Sequence, residues 1–140
     1  MDDELLAAYL ATDYRVRLGG GGWASIRIDM PLPAELLPAV GAHAWGVITA
    51  WNPQSRPLPR RRNRDAQQLL LRALRDCPGT VALWAAMGVG SEGRWKEPSL
   101  FVIGPDTDQL DPLARRFGQI AYLHGYADSV ATLRLMWERL

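Results

Sequence analysis

Glu97 stands in the run "RWKEPS", between Trp95 and Ser99. A carboxylate part-buried beside aromatic rings has its pKa raised, and that fits it to serve as a general acid or base near neutral pH. The structural alternative is an ion pair with Arg60 or Arg94 that closes the end of a sheet. Ser99 has no histidine partner in the sequence that would make it a nucleophile. The other candidates are amides: "ITAWNP" at 48 to 53 ends an apolar run on Trp51 and Asn52, Asn63 falls on the apolar stripe of the next helix, and Gln119 precedes "IAYLHG". Amides do not ionise, so their chemistry here is to fix a ligand or hold a loop. Asn52 before Pro53 is also a turn starter. Asn63 suits a structural bond to the 52–58 loop as well as it suits a ligand.

"RRRNR" puts Arg60, Arg61, Arg62 and Arg64 in the first turns of a helix, where the macrodipole disfavours each cation by roughly 0.3–1 kcal/mol. An anion bound by Arg60 and Arg64 would offset this. Solvent screening, with Asp65 adjacent, would offset it too. One cysteine, Cys77, and two histidines, His43 and His124, are too few and too scattered to suggest a metal centre, and no cofactor is expected. "GGGG" at 19 to 22 joins two strand-like runs, so it lacks the strand-to-helix setting of a phosphate loop.

These residues need elements to position them. The chain has 140 residues, 48% hydrophobic and 22% charged, which suits one compact domain over 1–140. Its formal charge of +1 provides no global field toward nucleic acid or an anionic membrane. The acidic start "MDDELLAAYL" is unlike a secretory signal, and no apolar run approaches the roughly 18 residues of a membrane span. A cytoplasmic protein is expected.

Asp2 or Asp3 caps a short helix with Leu5, Leu6, Tyr9 and Leu10 on one face. Tyr14, Val16 and Leu18 alternate with arginines, as do Ile26 and Ile28 with Arg27 and Asp29, and this predicts a hairpin with one wet face. A breaker-rich connector follows, with about one helical turn. "AWGVITAW" predicts a central strand covered on both faces. Pro59 suits the first position of a helix whose stripe is Asn63, Ala66, Leu70, Leu74 and Cys77, with Leu69 and Ala73 beside it. Two strands around "SEGRWK", a helix carrying Leu110, Leu113, Ala114 and Phe117, and a strand at "IAYLHG" complete the series. Residues 129–140 fit either a last strand or a helix, since Val130, Leu133, Trp137 and Leu140 also keep the helical period.

From 45 to 124 the order strand, helix, strand, strand, helix, strand predicts an α+β fold with a ferredoxin-like split βαβ core. Its mixed or antiparallel sheet is extended by the N-terminal hairpin and a C-terminal strand. The uncharged runs 45–51 and 98–104 take the two central places. With right-handed crossovers, the first central strand ends where the other begins. Asn52, Asn63, Glu97, Ser99 and Gln119 then converge on one sheet end, flanked by Trp51 and Trp95. Polar groups between aromatic walls are the usual makings of a small-ligand pocket.

The motifs "ITAWNP" with Asn63, "WKEPS" at 95 to 99 and "FGQIA" at 117 to 121, with "YLATDYRV" at 9 to 16, span nearly the whole chain. Together they resemble a bacterial domain-of-unknown-function family, number 3293 in its series. The resemblance implies a compact α/β protein with these polar motifs as its signature and no assigned activity. "RRRNR" is not part of that pattern, so a role for its arginines would be particular to this chain.

The expectation is a compact, anionic ligand at the sheet end, held by Asn52, Asn63, Ser99 and Gln119. Arg60 and Arg64 would neutralise it, Trp51 and Trp95 would wall it, and Glu97 would supply any acid–base step. The alternative is an interaction module whose polar sheet end only locks the fold. Nucleic acid through the 56–64 arginines ranks third, since charge balance and the lack of a stacking motif argue against it.

Overall fold

A computed structural model describes residues 1–136. Asp2 accepts the Leu5 N–H at 2.7 Å and opens helix α1 (Asp3–Leu10). Strands β1 (Asp13–Arg17) and β2 (Trp23–Ile26) form the expected hairpin, burying Tyr14, Val16, Ala24 and Ile26 and exposing Arg15 and Arg17. The connector holds a 3-10 turn at Ala34–Leu36 and one helical turn, α2 (Leu37–Val40). Strand β3 (Ala44–Ile48) is buried at every position, as a strand covered on both faces must be.

β3 stops short of Trp51. The Thr49 hydroxyl donates to the Pro98 carbonyl at 2.7 Å and accepts the Trp51 N–H at 3.0 Å, and these bonds replace a continuing ladder. Helix α3 (Arg60–Asp76) starts one residue after Pro59 and buries Asn63, Leu70 and Leu74. Leu69, one step round the helix from Leu70, is instead 48% exposed. Strands β4 (Ala82–Val89) and β5 (Lys96–Gly104) form a hairpin. A capping box at Asp106 and Gln109 starts helix α4 (Thr107–Arg116), and strands β6 (Ala121–Gly125) and β7 (Thr132–Leu135) end the fold. Residues 132–135 are therefore strand, whereas Trp137 and Leu140, which kept the helical period, lie outside the described residues.

The fold is α+β. Its sheet runs β2-β1-β4-β5-β3-β6-β7, with every neighbouring pair antiparallel. The middle four strands have the split βαβ order, with β3 and β5 central as their lack of charge predicts. One face carries Val16, Trp45, Val47, Phe101, Ile103 and Leu123, with Leu36 and Val40 packed in. The other carries Ile48 and Val102 under Leu70 and Leu74 of α3 and Leu110 and Ala114 of α4. Gly46 makes that second layer tight: a Cβ there would lie 2.7 Å from Leu110 Cδ1.

The sheet curls so that its outer margins meet. Pro31, beyond β2, bridges Val130, just before β7; the Asp29 N–H donates to Ala131 O at 2.8 Å and the Ala131 N–H to Met30 O at 3.0 Å. The first core fills the inside of this curl. No described helix is long and apolar enough to cross a membrane.

Candidate functional site: a cleft at the end of the sheet

The loop leaving β3 is the site's foundation. Asn52, Gln54 and Ser55 all have positive φ, at 46°, 59° and 57°. Left-handed backbone costs a non-glycine residue roughly 1–2 kcal/mol, so such a loop persists only where its surroundings hold it. α3 holds it with two amides a turn apart. Asn63 Oδ1 accepts the Asn52 N–H at 2.8 Å, and Asn63 Nδ2 donates to Asn52 Oδ1 at 2.6 Å. Asn52 Oδ1 also accepts the Leu58 N–H at 3.0 Å. Gln67 Oε1 accepts the Ala50 N–H at 2.8 Å. From the α4–β6 corner, Gly118 O accepts the Gln54 N–H at 2.8 Å, and Gln119 Nε2 donates to Trp51 O at 3.2 Å.

Beside this loop opens a cleft of about 390 Å³. Glu97 lines it from the sheet, Gln119 from the α4–β6 corner, Trp51 and Asn52 from the loop, and Trp95 from the β4–β5 turn. Leu5 and Tyr9, a turn apart on α1, form the facing wall, and Glu92 and Arg94 stand on the β4–β5 turn. A smaller hollow of about 30 Å³ shares Tyr9, Trp95, Glu97 and Gln119 and reaches Ser99 and Val47. Side chains alternate along β5, so Glu97 falls on the face that carries Phe101 and Ile103. A carboxylate therefore stands at the mouth of the inner core.

Burial pushes the Glu97 carboxyl up to about 8, with no hydrogen bond or charge among the causes to pull it back. The proposed ion pair is absent among the described residues: Arg94 Nε lies 3.6 Å from Glu92 Oε1 at the surface, and Arg60 is exposed on α3. Burial likewise raises Tyr9, whose hydroxyl is drawn back by Ser55 and pushed further up by the Glu97 charge. Tyr14 is raised by burial, with Tyr9 and Glu97 adding to it.

Trp51, Asn52, Trp95, Glu97 and Gln119 thus meet around one cleft. Ser99 faces the smaller hollow, and its hydroxyl donates to the Glu97 carbonyl at 3.3 Å. Asn63 is 2% exposed and lies behind Asn52, in the structural role that competed with ligand binding. Arg60 and Arg64 are exposed and line neither hollow, so an anion preference loses the groups on which it rested. Tyr9, Ser55 and Gln67 were not among the candidates. Tyr9 and Thr12 belong to the "YLATDYRV" element, and Gln67 is four residues beyond Asn63, on the same helical face. Among the described residues no three His, Cys, Asp or Glu side chains gather as metal ligands.

No curated protein and no solved structure matches the chain. The family described as "Protein of unknown function (DUF3293)" matches residues 48–122, more than half of the 140, from the last residue of β3 into β6. This stretch contains Trp51, Asn52, Asn63, Trp95, Glu97, Ser99 and Gln119, while Tyr9 on α1 lies outside it. The chain belongs to the DUF3293 family.

Proposed function

We propose that this protein binds a compact small molecule in the cleft between α1 and the sheet end. The observation that carries this is Glu97, a carboxylate without a partner among the described residues, lining a 390 Å³ cleft with Trp51, Trp95 and Tyr9. Leaving such a group part-buried costs stability, and a ligand that satisfies it recovers the loss. The volume is at the small end of the roughly 300–1,000 Å³ spanned by ligand pockets. Asn52 and Gln119 supply polar contacts from two further elements. Glu97 is also the group fitted to proton transfer should the ligand be turned over. The interaction-module alternative accounts for Asn52 and Asn63, which satisfy each other, but leaves the unpaired Glu97 without a purpose.

A thermal-shift and tryptophan-fluorescence screen of small metabolites tests this reading. A binder should raise Tm in the parent protein and lose that effect in Trp95→Ala, at a residue 43% exposed. A screen in which no compound shifts Tm or fluorescence sinks it.

A further inference from the structure

We propose, resting on the reading above, that the cleft selects an organic monocation, an ammonium group on an apolar body, with Glu97 as its counter-ion. Three aromatic residues, Tyr9, Trp51 and Trp95, line the cavity that Glu97 also lines. Ring faces attract cations and are neutral toward uncharged ligands of the same shape. The remaining charges cannot reverse this preference. Glu92 and Arg94 face each other at 3.6 Å with side chains 71% and 87% exposed, so they cancel in solvent. Arg60 and Arg64 line neither hollow.

Two of the uncharged polar groups have their donors engaged. Gln119, which lines the cleft, spends its Nε2 on the Trp51 and Phe117 carbonyls. Thr12 likewise spends its hydroxyl proton on Ala8 O at 2.6 Å. A cavity with aromatic walls and a carboxylate unpaired among the described residues fits a cation better than a carboxylate or phosphate.

Proton linkage makes the idea measurable. Among the described residues, Tyr9 from α1, Tyr14 from β1, Tyr122 from β6 and the Glu92–Arg94 pair are the other titratable groups lining the two hollows with Glu97, and all three tyrosines are raised away from neutrality. Cation uptake near pH 7 must therefore displace the proton that Glu97 carries.

Benzyltrimethylammonium, whose charge does not titrate, is compared with benzyl alcohol and benzoate by calorimetry in two buffers of different ionisation enthalpy. At pH 8.5 the cation should bind at least about tenfold more tightly than the alcohol, and benzoate more weakly than either. Below pH 8 the cation's affinity should fall by about tenfold per pH unit, with close to one proton released per ligand. Glu97→Gln should abolish the pH dependence and reduce the preference to what the rings alone supply while retaining the alcohol, and Trp95→Ala should weaken cation and alcohol together. Alcohol or benzoate bound as tightly as the cation, or cation binding without proton release, overturns the cation assignment and leaves the compact-ligand reading standing. Silence of all three probes overturns the cation assignment as well, while the metabolite screen decides the broader reading separately.

Discussion

Asn52 and Asn63, eleven residues apart, pair their amides so that each supports the other: Asn63 binds both the Asn52 N–H at 2.8 Å and the Asn52 Oδ1 at 2.6 Å. The pair joins the first turn of α3 to a left-handed residue at the edge of the cleft. Asn52 thus ends the strand, starts the turn and lines the cleft.

Truncating Asn63 leaves the Asn52 N–H and part of its carbonyl demand unmet in a buried place. Asn63→Ala should lower stability by about 1–3 kcal/mol. Urea unfolding should show this as a lower midpoint with an unchanged m-value. Asn63→Asp keeps the acceptor and loses the donor, and should be destabilising as well.

Glu97 imposes a pH dependence of unusual sign. The unfolded chain releases this proton near the ordinary value of 4.5, and the folded protein keeps it to about 8. Between those limits the folded state holds more protons, so stability falls as pH rises, by at most about 1.4 kcal/mol per unit, and levels off above 8. Glu97→Gln should remove this slope and be the more stable protein at pH 8.5. Denaturant midpoints at pH 5, 7 and 8.5 check it, and a parent protein with no slope would refute the buried, unpaired carboxyl.

Asp111 should act in the opposite sense. Its carboxylate takes both Arg134 Nε at 2.7 Å and an Arg134 terminal nitrogen at 2.6 Å, and accepts the Tyr122 hydroxyl at 2.6 Å. Arg134 foremost holds its pKa below the usual carboxylate range. The stability so gained is present above the unfolded value and is lost as pH falls through the folded one. Asp111→Asn should cost about 1–3 kcal/mol at pH 7 and show a weaker acid transition. Since Arg134 belongs to β7, exchange at the amides of that strand should accelerate with it.

Gly118 has φ +67°, and a Cβ on it would lie 2.9 Å from the Pro53 Cβ. Gly118→Ala therefore meets both backbone strain and a neighbour in the cleft loop. A loss of about 1–2 kcal/mol is expected from the strain alone. Tryptophan fluorescence should change with it, because Trp51 is carried by the same loop.

The sheet was legible because charge is absent where two faces must be dry: Trp45 to Ile48 and Leu100 to Ile103 offer no charged side chain, and they are central. The convergence of Asn52, Glu97 and Gln119 followed from topology alone. Glu97's solitude did not, because whether an arginine reaches a carboxylate depends on how two loops turn, and Arg94 turned to Glu92. Tyr9 escaped notice for a different reason. α1 buries no residue completely, so apolar spacing alone does not mark Leu5 and Tyr9 as a cleft wall. Gln67 was hidden by following only apolar positions along α3, although its amide holds Ala50 as Asn63 holds Asn52.

The contact between Pro31 and Val130 ties together segments that are almost a hundred positions apart in the chain. Ile28 and Ala131 are buried on either side of this seam. Peeling either outer strand from the sheet would wet the same interior, so the two margins have little freedom to fray independently. Strands β2 and β7 behave as halves of a single latch, and the chain must bring these distant segments together before the curl can shut.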